Sequence, residues 1–109
     1  MSYNRLSGFR YIDEIRDHYD VFDRPGAYVF YKTVTGPPRY VGRSDFNLYK
    51  RIRGRDWEYL YYRFKHCRND YSAYRWECKY YHRFYYDLRN KIHPRKPTGS
   101  SIQCPVCFR

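Results

Sequence analysis

Near the C-terminus the sequence reads Cys104-Pro105-Val106-Cys107, a close pair of thiols. That spacing suits one metal ion better than a structural disulfide. Upstream, Cys78 and His82 lie four residues apart and so share one face of a helix. Cys78, His82, Cys104 and Cys107 thus form a candidate Cys3His zinc set, with His93 as the alternative fourth ligand. A redox or disulfide pair is the plainer reading of the knuckle. Cys67 is left over and reads as a buried free thiol. Beside Cys78 stands Glu77, in the run AYRWECKYY. On a helix Glu77 aligns with Ala73, Tyr74 and Tyr81, an inward face. A carboxylate there is costly unless it is paired or binds a metal. A salt bridge to one of the many arginines is the rival explanation.

Composition narrows the partners. The chain carries 22 Lys+Arg against 11 Asp+Glu, a net charge of +11 on 109 residues. Such a field attracts polyanions, and nucleic acid is the usual one. Most of the cations are arginines, which fork bidentately onto phosphate oxygens. Sixteen tyrosines add flat faces for stacking and hydroxyls for phosphate or base. No apolar run is long enough to span a membrane, and the N-terminus lacks the apolar core of a signal peptide. An intracellular location, in cytoplasm or nucleoid, is expected.

The elements that must position these residues follow from periodicity. Residues 1–8 read as a loose arm. Phe9, Ile12, Ile15, Tyr19 and Phe22 stand near helical spacing and predict a short amphipathic helix, broken at Asp23-Arg24-Pro25-Gly26. Ala27 to Val34 predicts a strand covered on both faces. Pro37 and Pro38 make a turn, and Arg39 to Gly42 a second strand, so the pair reads as a β-hairpin. Gly42 offers room for close approach of backbone or phosphate. Asn47 caps a helix starting near Leu48, with Leu48 and Ile52 facing the core. Tyr59 to Phe64 predicts a third strand by its aromatics. Asn69-Asp70 starts a long helix over Tyr71 to Tyr86. Beyond Asp87 no periodicity is seen. The fold class is α/β: a small three-stranded antiparallel sheet flanked by helices, one domain over 1–109, its core about 26–90 and its tail 91–109.

Within this layout Gly26-Ala27-Tyr28 and Tyr40-Val41-Gly42 frame the hairpin, Arg51 follows on the next helix, and Glu77 sits on the long one. In that order the residues resemble the GIY-YIG nuclease family. Ala27 and Val41 depart from the family letters but remain apolar strand residues. The resemblance implies a catalytic set of Tyr28, Tyr40, Arg51, Glu77 and Asn90. Glu77 would hold Mg2+ or Mn2+, Arg51 would neutralise the scissile phosphate, and Tyr28 would be a general base or a water-positioning group with Tyr40 beside it. A nearby arginine and metal would favour the Tyr28 phenolate. Asn90 could orient the metal or the site. Zinc is not implied by the resemblance.

The expected function is metal-dependent endonucleolytic cleavage of DNA, or of RNA, at phosphodiester bonds. Candidate nucleic-acid contacts are Arg43, Lys50, Arg53, Arg55, Lys65 and His66. A protein partner or a homodimer is compatible with so small a chain. The alternative is a non-catalytic, zinc-stabilised nucleic-acid-binding module using the same Arg/Tyr surface.

Overall fold

The computed structural model describes residues 6–18, 21, 24–54 and 58–109. In chain order it contains β1 (Arg10–Tyr11), a 3-10 helix (Ile12–Asp17), β2 (Gly26–Tyr31), β3 (Pro38–Ser44), α1 (Leu48–Arg53), β4 (Tyr61–His66), α2 (Asp70–Phe84) and a closing 3-10 turn (Tyr85–Asp87). The strands form one antiparallel sheet in the order β1-β4-β2-β3.

Central strand β2 (GAYVFY) is buried at all six positions, as its unbroken apolar run requires. Its alternation feeds two cores. Tyr28 and Phe30 face Leu48 and Ile52 of α1 and Ile12 and Ile15 of the 3-10 helix. Ala27, Val29 and Tyr31 face Tyr80 and Tyr81 of α2. Gly26 is where strand and helix come closest. A Cβ there would lie 2.5 Å from the Lys65 carbonyl oxygen and 2.8 Å from Leu48 Cδ2, so any side chain would push α1 off the sheet.

The sheet has four strands, not three. Arg10 and Tyr11 pair with Tyr62 and Tyr61 of β4, which draws backbone into the sheet where helical spacing predicted the start of a helix. Only Ile12–Asp17 remains, as a 3-10 helix. Its three-residue repeat puts Ile12 and Ile15 on one buried face. Tyr19 and Phe22 lie outside the described residues. The expected loose arm is not loose where it can be seen. Leu6 is buried, the Ser7 amide donates to the Phe64 carbonyl at 2.9 Å, and the Ser7 hydroxyl accepts from the Phe64 amide at 2.9 Å. Residues 1–5 lie outside the described residues.

Three strands depart from their expected bounds: β3 runs over Pro38–Ser44 rather than Arg39–Gly42, so Pro38 opens the strand instead of completing the turn. β2 ends at Tyr31 rather than Val34, and β4 runs over Tyr61–His66 rather than Tyr59–Phe64. The cause is register: Gly26 pairs with His66 and Tyr31 with Tyr61, so β4 begins and ends where its partner does. Tyr59 instead packs into the core from the preceding turn.

Both helix starts are capped as their sequences predict. The Asn47 side chain accepts from the Lys50 amide at 2.9 Å, and Asn69 accepts from the Ser72 amide at 2.9 Å. Residues 88–109 contain no helix or strand, but they are not free of the body. Leu88, Pro97 and Cys104 are buried, and the Arg89 amide donates to the Arg39 carbonyl at 2.8 Å.

Candidate active site and metal centre

β3 is an edge strand, and along it runs an open cleft of about 870 Å³. Tyr28, Tyr40, Arg51, Glu77 and Asn90 all line it. They come from β2, β3, α1, α2 and the segment after α2, so five separate stretches of chain converge there. β2 and β3 supply tyrosines from one face of the sheet. Glu77 comes from the helix on the other face and reaches the cleft around the β3 edge.

Cross-strand pairing explains the tyrosine geometry. Tyr28 stands directly opposite Gly42, and an alanine Cβ at 42 would lie 2.5 Å from Tyr28 Cζ. The group that approaches Gly42 is therefore the Tyr28 ring, not a phosphate or a backbone. Tyr40 stacks beside it, centroids 6.3 Å apart and planes 15° apart. The Tyr28 side chain is almost wholly enclosed, with its residue 3% exposed.

That enclosure overturns one electrostatic expectation. Burial pushes the Tyr28 phenol well above its ordinary value, with Tyr40 and Glu77 adding to the rise and Arg51 only opposing it. Burial likewise raises Tyr40. Desolvation outweighs the nearby guanidinium, so the chain's own charges do not favour a Tyr28 phenolate.

Glu77 is 9% exposed and is not alone. Arg43 Nη1 donates to its Oε1 at 2.6 Å, while Arg43 Nε donates to Asp45 Oδ1 at 2.7 Å. The arginine thus bridges two carboxylates, and its face lies over the Tyr74 ring. The salt bridge named as the rival explanation for Glu77 is present. It does not fully compensate the burial. Desolvation lifts the Glu77 carboxyl to about 7, against lowering by Arg43 and with a further rise from Asp45. Arg43 itself is held protonated: burial opposes its charge, but its bonds to Asp45 and Glu77 raise it overall.

The expected phosphate contacts separate into groups. Arg43 lines the cleft but is committed to Glu77 and Asp45. Lys50 and Arg53 are exposed on α1 and do not line the cleft. Lys65 and His66 line a different groove with Arg75, Trp76 and Lys79, where Lys65 and Lys79 both lie over the Trp76 ring. Arg55 lies outside the described residues. Two cleft cations were not foreseen, Arg89 and Arg95. Both come from the irregular tail, where no periodicity marks which side chains face inward.

The zinc set is also corrected. Among the described residues one group of four could hold a metal ion: His82, His93, Cys104 and Cys107, whose ligand atoms lie within 4.8 Å of one another. His93 is a member and Cys78 is not. Cys78 does share a helix face with His82, but it packs beneath Cys104 in a small buried cluster with Tyr74. Burial pushes its thiol up to about 12. Cys104 moves the other way. Burial opposes its ionisation, but backbone amides of Cys107 and Val106, then His93 and Cys78, bring it down to about 6. Cys67 is buried with a raised thiol, as a free structural cysteine would be. This cluster could hold a zinc ion.

No family model, curated protein or solved structure matches the chain. The cleft is lined by three carboxyls, of Asp45, Glu58 and the buried Glu77, by the hydroxyls of Tyr28 and Tyr40 among others, and by four guanidiniums, of Arg43, Arg51, Arg89 and Arg95. That set suits a phosphate-bearing ligand. Arg89 also pairs with Glu58. No helix among the described residues is long and apolar enough to cross a membrane.

Proposed function

We propose that this chain is a metal-dependent endonuclease that hydrolyses phosphodiester bonds in DNA, with a site of the GIY-YIG kind. The observation that carries the reading is the convergence of Tyr28, Tyr40, Arg51, Glu77 and Asn90, from five separate stretches of chain, on one cleft. The net charge of +11 supports a polyanionic substrate.

Each residue then has a task. Arg51, exposed at the cleft, meets the scissile phosphate and offsets charge that builds on its oxygens. Tyr28 keeps its proton at neutral pH and positions the attacking water through Oη, the second of the two roles the resemblance implied. Asn90 orients from the opposite wall. Glu77 fits a divalent ion in one respect: its buried carboxylate is only partly compensated by Arg43, and a dication would complete the compensation. Mg2+ or Mn2+ held there would act as a Lewis acid on the phosphate and its leaving oxygen. With one carboxylate from the chain, the remaining ligands would be water and phosphate oxygens, the usual habit of Mg2+. A zinc ion on His82, His93, Cys104 and Cys107 would be structural, because four protein ligands leave no open position.

The non-catalytic alternative, a zinc-stabilised nucleic-acid-binding module, is favoured by one observation, the Arg43–Glu77 pair, which gives the carboxylate a purely structural partner. A substitution separates the two readings. Tyr28→Phe leaves ring packing intact and removes only the hydroxyl, so in the nuclease reading it suppresses Mg2+-dependent nicking of DNA while melting and DNA binding stay as in the wild type. Unchanged nicking in that variant would remove Tyr28 from the mechanism. Absence of nicking by wild type across linear, supercoiled, branched and RNA substrates would favour the binding module.

A further inference from the structure

We propose that His82, His93, Cys104 and Cys107 bind one zinc ion, and that this ion fixes residues 92–95 as a wall of the cleft. The metal site stands on its own geometry; only its consequence for cleavage rests on the nuclease reading.

The four ligands come from three places: His82 from the last turn of α2, His93 from the irregular segment, and both sulfurs from the knuckle. Each imidazole faces one sulfur. His82 Nε2 lies 3.4 Å from Cys104 Sγ, and His93 Nε2 lies 3.3 Å from Cys107 Sγ. A tetrahedral zinc with Zn–S of about 2.3 Å and Zn–N of about 2.0–2.1 Å sets a sulfur and a nitrogen roughly 3.5 Å apart. These two spacings match that value, and all four ligand atoms lie within 4.8 Å of one another. Two thiolates with two imidazoles select zinc over the hard cations, which prefer oxygen.

The surroundings are arranged for a metal as well. His93 Nδ1 lies 3.0 Å from the Pro94 carbonyl oxygen. That oxygen can only accept, so in the neutral ring Nδ1 carries the hydrogen and the lone pair of Nε2 points at the cluster. The amides of Val106 and Cys107 point at Cys104 Sγ from 3.4 and 3.5 Å, the usual support for a metal-bound thiolate in a knuckle. Phe108 closes the turn at φ 63, a left-handed conformation unfavourable for a non-glycine residue, and its amide donates to the Cys104 carbonyl at 2.9 Å.

His93 belongs to both places. Its ring is in the ligand cluster, and the residue lines the cleft with Asn90, Pro94 and Arg95. The upstream end of this segment is tied to the body independently. The Arg89 amide donates to the Arg39 carbonyl at 2.8 Å, and Tyr81 Oη donates to the Lys91 carbonyl at 2.8 Å. Beyond Lys91 the position changes: among the described residues no backbone–backbone hydrogen bond reaches residues 92–96. The metal ligation of His93 supplies the missing anchor, so the downstream half of the wall depends on the ion.

The test uses the full chain. Metal analysis of protein purified without chelator should find about one zinc per chain. Replacement by Co2+ should give the visible bands of a tetrahedral site with charge transfer from two thiolates, not three. Hydrogen exchange is then followed by segment before and after zinc removal. The Ile92 amide, bonded to Asn90 Oδ1 at 3.2 Å, and the knuckle amides of Cys104 and Phe108, bonded to the Arg109 and Cys104 carbonyls, should exchange faster by on the order of tenfold or more once the ion is gone, while β2 and α1 keep their protection. His93→Ala should weaken zinc by more than the roughly 10–100-fold typical of outer-shell changes, and His93→Cys, which restores a ligand, should recover metal and protection together. Sub-stoichiometric metal, a three-thiolate cobalt spectrum, or exchange at the Ile92 amide that ignores zinc would each overturn the proposal, as would equal loss of protection throughout β2. None of these readouts involves nucleic acid. A chain that binds zinc in this way and cleaves nothing would retire the nuclease reading and leave this one standing.

Discussion

Replacing Glu77 by Gln isolates what the burial of that carboxyl does to stability. Burial holds it near about 7 rather than the ordinary 4.5, which corresponds to about 3 kcal/mol between the protonated and ionised forms of the folded chain. The sign follows from which state holds the proton. Below about pH 4.5 folded and unfolded chains both carry it, and the protonated carboxyl makes its full contribution. From about 4.5 to 7 the folded chain keeps a proton that the unfolded chain has released, so stability falls as pH rises. Above 7 that contribution is gone. Gln resembles the protonated acid at every pH. Glu77→Gln should therefore be more stable than wild type by about 3 kcal/mol at pH 8, a gain of roughly 10 °C or more in Tm for a chain of this size, and nearly equal to it at pH 4. The assay is thermal unfolding followed by circular dichroism at both values, in buffer free of added divalent ions and of chelator. Other titrating groups are shared by the two proteins and cancel in the difference. A Gln variant that is less stable at pH 8, or a difference that does not move with pH, would show that the Arg43 pair outweighs desolvation and would refute the reasoning.

Other consequences can be checked with single substitutions. Gly42→Ala drives a methyl group into the Tyr28 ring; overpacking of this kind costs about 1–3 kcal/mol, and equilibrium denaturation should register it together with a loss of cleavage. DNA affinity should fall steeply with salt as bound cations on the nucleic acid are released, and a flat salt response would remove nucleic acid as the ligand. Arg51→Ala should slow cleavage far more than it weakens binding, because Arg89 and Arg95 remain in the cleft; equal losses in both would make Arg51 a general phosphate contact.

Local signals were legible in the sequence wherever the backbone's own preferences decide the outcome. Asn47 and Asn69 cap the helices they should, and the unbroken apolar run of β2 does become a strand covered on both faces. The errors lie where a distant partner decides. Arg10 and Tyr11 look helical by spacing, yet β4 captures them as a strand. The bounds of β4 are set by the length of β2, which no property of Tyr59–Phe64 reveals. Tyr28, Tyr40, Arg51, Glu77 and Asn90, which residue type and order set apart in the sequence, line one cleft. Arg43 could not be seen as the partner of Glu77, because 34 residues separate them. His93 was only an alternative ligand because its segment has no periodicity from which to infer a facing direction, while the helical spacing of Cys78 and His82 correctly gave a shared face and wrongly suggested a shared ion. The Tyr28 phenolate failed for a related reason: charge can be counted in a sequence, but desolvation depends on what the fold lays over the ring.

The central claim is that the cleft performs chemistry and does not merely bind. The most direct measurement is cleavage and binding of the same end-labelled DNA by wild type and Glu77→Gln, side by side, with Mg2+ or Mn2+ and with a metal-free control. The account predicts metal-dependent cutting by wild type, a fall of about 100-fold or more in the variant, and binding that persists or tightens because an anion has left the cleft. Cutting by Glu77→Gln at the wild-type rate would contradict it.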